Sequence, residues 1–171
     1  TGFIDLDKAT SGLHEGEMIV IAARPGMGKT AFALNIATHA AMTTKKAIAI
    51  FNLEMSKEQL VNRMLSALGG IEGKKLQNGQ MMQTDWKKYN EAMSQLADTN
   101  MYIEDNAGIT SSDIRAKCRR LASKPEGLGL VIIDYLQLLT LGGKRPDSRQ
   151  QEVSDISRSI KTMAMELKVP V

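Results

Sequence analysis

A short glycine-containing segment, AARPGMGKT, ends at Thr30 and has the residue types of a phosphate-binding loop. Gly26 and Gly28 permit tight curvature, so that backbone N–H groups converge on phosphate oxygens at a helix start. Lys29 supplies a charge for the terminal phosphates, and the Thr30 hydroxyl suits Mg²⁺. The segment predicts a nucleotide site formed by Ala23, Arg24, Pro25, Gly26, Met27, Gly28, Lys29, Thr30 and Ala31. The alternative is a glycine-rich turn with a surface lysine.

Alanine stands at position 23, where the pattern G-x-x-x-x-G-K-[ST] has its first glycine. Glycine is required there only if the backbone has a positive φ or if another group packs against the Cα atom. Alanine at the end of a strand is compatible with a negative φ. We therefore expect Ala23 to preserve the phosphate contacts, because backbone N–H groups make them.

Two carboxylates follow apolar runs that are typical of buried strands. Asp134 ends LVIID, and open α/β sheets bind ligands at the carboxyl ends of their strands, so we expect it to hold Mg²⁺. A turn or capping role is the alternative. Glu54 ends AIAIFNLE, where a carboxylate could orient and deprotonate an attacking water. Equally, Glu54 could simply precede the next helix, whose positive end favours an acid.

Apolar runs alternate with helical patterns along the chain, which predicts an α/β fold with a mainly parallel sheet covered by helices on both faces. The predicted strands are 18–22, 47–53, 101–104 and 130–133. The predicted helices are 29–42, 56–68, 86–97, 110–123 and 150–167, with a loop at 69–79. Ser56 with Gln59, and Thr110 with Asp113, have the spacing of capping boxes.

Composition favours a globular domain over a membrane-embedded or disordered chain. Of the 171 residues, 43% are hydrophobic and 24% charged, and the net charge is +3. No apolar run approaches the roughly 18 residues of a membrane helix. Cys118 is the only cysteine in the sequence, which excludes an internal disulfide and favours the reducing cytoplasm. His14 and His39 are too scattered to predict a metal cluster.

Four segments resemble successive motifs of DnaB-type replicative DNA helicases, in their RecA-like motor domain. They are TGFIDLDKATSGLHEGEMIVIAARPGMGKTAFALNIA, FNLEMS, LVIIDYLQLL and RQQEVSDISRSIKTMAMELKVPV. Many NTPases share the phosphate loop, but the combination of FNLEMS with LVIIDYLQLL is typical of this family. The family commonly carries alanine at the position of Ala23.

The resemblance implies a P-loop NTPase that uses ATP and Mg²⁺ to move 5′ to 3′ along single-stranded DNA, as a ring that is usually a homohexamer. It implies that Lys29 and Thr30 act on the phosphates, that Thr30 and Asp134 hold Mg²⁺, and that Glu54 is the catalytic base. Primase and a helicase loader are expected to bind parts outside this chain. The alternatives are a nucleotide-binding fragment without turnover and another RecA-like ATPase, such as a recombinase.

The segment that follows LVIIDYLQLL is where the resemblance implies a DNA-contacting loop. Its cations Lys144, Arg145 and Arg149 would neutralise phosphates without reading sequence. The alternative is an exposed loop whose charges are only solvated. For the cations of helix 110–123, a solvated surface or a subunit interface is favoured over DNA contact.

We expect residues 1–171 to be the N-terminal portion of a motor domain that is truncated at its C-terminal side. The chain starts at Thr1 rather than at methionine, and Val169 to Val171 has the character of a beginning strand. The resemblance puts that strand between the phosphate-loop strand and the Asp134 strand. It also implies a polar sensor and an arginine finger beyond Val171.

Overall fold

The computed structural model describes residues 1–139 and 149–171. Within them, a three-stranded parallel sheet has the order β2-β1-β3, where β1 is Ala47–Asn52, β2 is Met101–Glu104 and β3 is Leu128–Asp134. The helices are α1 Ile4–Thr10, α2 Lys29–Thr43, α3 Lys57–Gly69, α4 Gly73–Asn78, α5 Gln83–Ala97, α6 Ser111–Ala122 and α7 Arg149–Leu167. A single 3₁₀ turn, Leu136–Leu138, follows β3 within the described part.

The central strand β1 is buried on both sides, because its alternate side chains enter two different apolar clusters. Ala47, Ala49 and Phe51 belong to a cluster with residues of α6 and α7. Ile48 and Ile50 belong to the other cluster, with residues of α2 and α3. The prediction of a parallel sheet with helices on both faces is confirmed.

Strands β1 and β3 end in register, with Asn52 opposite Asp134. The Leu53 N–H donates to the Asp134 carbonyl oxygen at 2.7 Å, which extends the pairing one residue beyond β1. Parallel strands present their carboxyl ends at the same edge of a sheet. The residues that follow β1 and those that follow β3 therefore leave the sheet side by side.

Both predicted capping boxes are present. The Ser56 hydroxyl accepts from the Gln59 N–H, and the Gln59 side chain accepts in return from the Ser56 N–H at 3.1 Å. Thr110 and Asp113 make the same reciprocal pair at the start of α6. These contacts satisfy N–H groups that the helices leave free, so α3 and α6 begin where the spacing indicates.

The predicted strand at 18–22 is wrong, because no regular strand forms there. Val171 donates to the Glu17 carbonyl oxygen at 2.9 Å and accepts from the Ile19 N–H at 2.8 Å. Within the described residues this pairing stops at Ile19. Val20, one position further on, is 73% exposed.

The segment 169–171 lies between residues 17–19 and β3. On the side away from Glu17, the Pro170 carbonyl oxygen accepts from the Val131 N–H at 3.1 Å. Val169 is buried in the cluster shared with α6 and α7. This is the position that the resemblance implies for the segment.

Residues 69–79, predicted to be a loop, contain the short helix α4. Two contacts with other elements stabilise it. The Lys75 ammonium pairs with the Asp85 carboxylate at 3.1 Å, and α4 packs against α3. Hydrogen bonds from the Met82 N–H and from Lys75 lower the pKa of Asp85. The helix was missed because these partners are not adjacent in sequence.

Candidate nucleotide-binding site

The predicted phosphate loop leads directly into α2, which begins at Lys29 as expected. Gly26 and Gly28 have φ angles of +78° and +87°, a conformation that glycine adopts without steric cost. A Cβ atom at either position would meet no atom within 4 Å, so the space beside both residues is open. Gly28 is the N-cap and offers no side-chain acceptor, which leaves the first N–H groups of α2 available to an anion.

Ala23 has an ordinary backbone conformation. Among the described non-glycine residues, only Ser11 and Lys168 have a positive φ. The position therefore does not demand glycine for backbone reasons. This agrees with the expectation that alanine introduces no strain into the loop.

Asp134, at the end of β3, contacts both Lys29 and Thr30 of the loop. The Lys29 Nζ atom lies 2.6 Å from Asp134 Oδ1, and the Thr30 hydroxyl donates to Oδ2 at 2.5 Å. Asp134 is 6% exposed, so its carboxylate is largely shielded from water. The Lys29 ammonium also lies 4.4 Å from the centroid of the Tyr135 ring, where the face of the ring attracts a cation.

The oxygens of Thr30 and Asp134 fit a magnesium ion. Hydroxyl and carboxylate oxygens are the hard ligands that Mg²⁺ takes in nucleotide sites, usually together with waters and phosphate oxygens. In this structure the two oxygens are already adjacent, and the same carboxylate contacts the Lys29 ammonium. In the described ranges, no group of three or more His, Cys, Asp and Glu side chains forms a separate metal site.

Glu54 lies two residues beyond β1, at the same edge of the sheet. Its N–H donates to the side-chain oxygen of Asn52 at 3.0 Å. The carboxylate is exposed and makes no hydrogen bond or ion pair within the described chain. Its position and exposure are compatible with activating a water.

Asn52 and Tyr135 are the site residues that the sequence did not indicate. Asn52 is 1% exposed, and its amide nitrogen donates to Asp134 Oδ2 at 3.2 Å. The sequence feature that could have indicated Asn52 is its position at the end of an apolar strand, two residues before Glu54. Its meaning depends on the register of β1 with β3, which sequence spacing alone does not specify.

The candidate DNA-contacting residues are only partly within the described chain. Lys144 and Arg145 lie outside the described residues. Arg149 begins α7, where its guanidinium contacts the Glu152 carboxylate and the Gln137 carbonyl oxygen. A DNA contact by Arg149 would therefore have to compete with partners in its own chain.

Most cations of α6 are paired within the chain. Arg115 and Arg119 both contact the Glu166 carboxylate on α7, and Lys117 contacts Glu104 at the end of β2. Hydrogen bonds from Arg115 and then Arg119 lower the pKa of Glu166. These pairs join α6 to its neighbours, which agrees with the preference for a surface role over DNA contact.

A family model described as the DnaB-like helicase C terminal domain matches residues 1–171. The chain belongs to this family. The replicative DNA helicase DnaC of Bacillus subtilis (strain 168) is 52% identical over 171 residues, which are 100% of this chain and 37% of that protein. The chain thus spans little more than a third of the length of this curated relative.

Two solved structures share the fold of this chain. One, described as an ATPase domain, superposes with a TM-score of 0.93 at 38% identity, over 99% of this chain and 60% of that one. A DnaB-like replicative helicase, described together with its interactions with primase, gives a TM-score of 0.91 at 37% identity, over 99% and 41% of the two chains. The RecA-like α/β fold expected from the resemblance is confirmed. None of the helices in residues 1–139 and 149–171 is long and apolar enough to cross a membrane.

Proposed function

We propose that this chain is the nucleotide-binding part of an ATP-driven replicative DNA helicase that moves 5′ to 3′ along single-stranded DNA. The observation that carries the proposal is the cluster of Lys29, Thr30 and Asp134 at the end of β3, with contacts of 2.5 and 2.6 Å. Membership of the DnaB-like family supports the same assignment. Residues 1–171 are proposed to be the N-terminal portion of the motor domain, in line with the 60% of the solved ATPase domain that they cover.

The loop residues are assigned to the nucleotide. Residues 23–31 would surround the phosphates with backbone N–H groups, and the Lys29 ammonium would contact the terminal phosphates. Thr30 and Asp134 would hold Mg²⁺, which supplies positive charge against the phosphate oxygens. When the nucleotide binds, the Lys29 ammonium would give up part of its contact with Asp134 and contact the phosphates instead. The Asp134 carboxylate and the phosphates are both anionic, and the lysine side chain is flexible enough to reach either.

Glu54 is assigned the role of general base. A carboxylate that accepts a proton from the attacking water must be accessible and must not be neutralised by a tight ion pair. Glu54 meets both conditions within the described residues. Its backbone is fixed to the same edge of the sheet as Asp134 through Asn52.

The partners are proposed from the family. We infer a homo-oligomer, usually a hexamer, with ATP at its subunit interfaces and single-stranded DNA bound through basic residues that include Lys144, Arg145 and Arg149. Primase and a helicase loader would contact regions outside residues 1–171, and the protein would act in the cytoplasm. An interaction with primase is described for the DnaB-like structural relative.

The proposal is tested on the intact protein with Lys29→Ala and Lys57→Ala. Lys57 is an exposed lysine at the start of α3 and is the matched control. Lys29→Ala should lose ATP binding and unwinding of forked DNA, whereas Lys57→Ala should retain both. Hydrolysis without unwinding by the unaltered protein would instead favour another RecA-like ATPase, and binding without hydrolysis would favour a nucleotide-binding module.

A further inference from the structure

Asn52 is a buried polar residue that lies between the two proposed acidic groups of the site. It ends β1, is 1% exposed and stands opposite Asp134 in the sheet register. A buried amide without hydrogen-bond partners would lower the stability of the fold. The hydrogen bonds that Asn52 makes therefore indicate the role of its side chain.

The side chain of Asn52 makes three hydrogen bonds that join two strand ends. Its amide nitrogen donates to Asp134 Oδ2 at 3.2 Å. Its side-chain oxygen accepts from the Glu54 N–H at 3.0 Å and from the Met55 N–H at 2.6 Å. The orientation of the amide follows from chemistry, because an ionised carboxylate only accepts and a backbone N–H only donates.

These contacts fix the backbone of Glu54 relative to the carboxylate of Asp134. The Glu54 side chain is exposed and has no partner of its own within the described residues, so the turn that carries it determines where its carboxylate can reach. Asn52 is the side chain that accepts from the N–H groups of this turn. It also leaves Asp134 Oδ1 to Lys29, because it occupies Oδ2 together with Thr30.

We propose that Asn52 is a positioning residue for ATP hydrolysis, which sets the distance between the Glu54 backbone and the Asp134 carboxylate. The inference rests on the proposed roles of Glu54 and Asp134. Residues that orient a metal ligand or a catalytic group in this way typically contribute about 10- to 100-fold to metal affinity or activity. Asn52 itself need not touch the nucleotide.

The experiment measures ATP turnover and its Mg²⁺ dependence in the intact protein carrying Asn52→Ala. Turnover is expressed per nucleotide-binding site, so that a loss of folded protein does not count as a loss of kcat. Asp85→Ala is the matched control, since Asp85 is likewise buried, accepts from a backbone N–H and lies on α5. Asn52→Ser replaces the amide with a hydroxyl, which can still donate and accept a hydrogen bond, and serves as the milder variant.

Asn52→Ala is expected to lower kcat by about 10- to 100-fold and to raise the Mg²⁺ concentration for half-maximal turnover. Asp85→Ala should change neither quantity, and Asn52→Ser should lose less than Asn52→Ala. In a Glu54→Gln background, Asn52→Ala should lower the residual turnover at saturating Mg²⁺ by less than about threefold, because residues that act through one another are not additive.

The inference is overturned if Asn52→Ala keeps the kcat and Mg²⁺ dependence of the parent while Glu54→Gln loses all but a residual turnover. Equal losses from Asn52→Ala in the two backgrounds, or a loss in Asn52→Ser as large as in Asn52→Ala, also contradict it. If Glu54→Gln hydrolyses ATP like the parent, the proposed catalytic base is wrong, whatever the behaviour of Asn52.

Discussion

Replacing Asp134 with asparagine removes one charge from the centre of the site without changing the size of the side chain. The carboxylate accepts from three donors, on Lys29, Thr30 and Asn52. An asparagine has one acceptor oxygen and one amino group, so it cannot accept from all three. If its oxygen faces Lys29, its amino group meets the Asn52 amino group, and two donors oppose each other.

The expected cost in folding free energy follows from these contacts. A hydrogen bond to a charged group contributes about 1.5–3 kcal/mol, and a neutral one about 1 kcal/mol. Lys29 is 26% exposed, so water recovers part of what its ammonium loses. We expect Asp134→Asn to lower the free energy of unfolding by about 2–3 kcal/mol, or Tm by roughly 4–12 °C at about 2–4 °C per kcal/mol for a domain of this size.

The assay is thermal unfolding of the intact protein, followed by circular dichroism in EDTA without nucleotide. Asp155→Asn is the matched control, since Asp155 forms an exposed pair with Arg158 at 3.1 Å. Surface pairs contribute little, so the control should stay within about 2 °C of the parent. Added Mg²⁺ and ATP should raise the Tm of the parent and of Asp155→Asn, but much less that of Asp134→Asn. A Tm for Asp134→Asn within about 2 °C of the parent would refute the reasoning.

Three further predictions address burial, capping and DNA contact. Burial raises the pKa of the Cys118 thiol to about 12, whereas an unfolded thiol ionises near about 8.5. The folded state keeps the thiol proton to a higher pH than the unfolded state, so the free energy of unfolding should fall as pH rises above about 8.5. In urea titrations at pH 7 and 10, this fall should be smaller for Cys118→Ala than for the parent. An equal fall in the two proteins contradicts the prediction. Thr110→Ala removes the acceptor of the Asp113 N–H and should cost about 1 kcal/mol in the same titration, whereas an unchanged midpoint counts against the cap. Arg149→Ala should weaken single-stranded DNA binding and reduce its salt slope by about 1, in contrast to Arg158→Ala, and identical slopes would remove Arg149 from the interface.

The elements that could be predicted from sequence are those whose signals are local. β1 shows as a continuous apolar run, and α3 and α6 begin at capping boxes whose partners are three residues apart. The phosphate loop was recognisable for the same reason, since Gly26, Gly28, Lys29 and Thr30 are neighbours in the chain.

The features that could not be predicted depend on residues distant in sequence. Residues 18–22 have the composition of a strand, but pairing requires an opposing segment, and Val171 reaches only to Ile19. Helix α4 is short and polar, and Lys75 finds its partner Asp85 across a turn. Asn52 reads as an ordinary polar residue until the register of β1 with β3 sets it opposite Asp134.

Hydrolysis of Mg²⁺-bound ATP by Glu54→Gln, compared with Glu58→Gln, tests the central claim most directly. Glu58 is an exposed glutamate in the first turn of α3, four residues further along the chain. In a single-turnover experiment on the intact protein, Glu54→Gln should bind ATP with the affinity of the parent and hydrolyse it only at a residual rate, while Glu58→Gln binds and hydrolyses ATP like the parent. Parental hydrolysis by Glu54→Gln would contradict the account, as would loss of ATP binding in that variant.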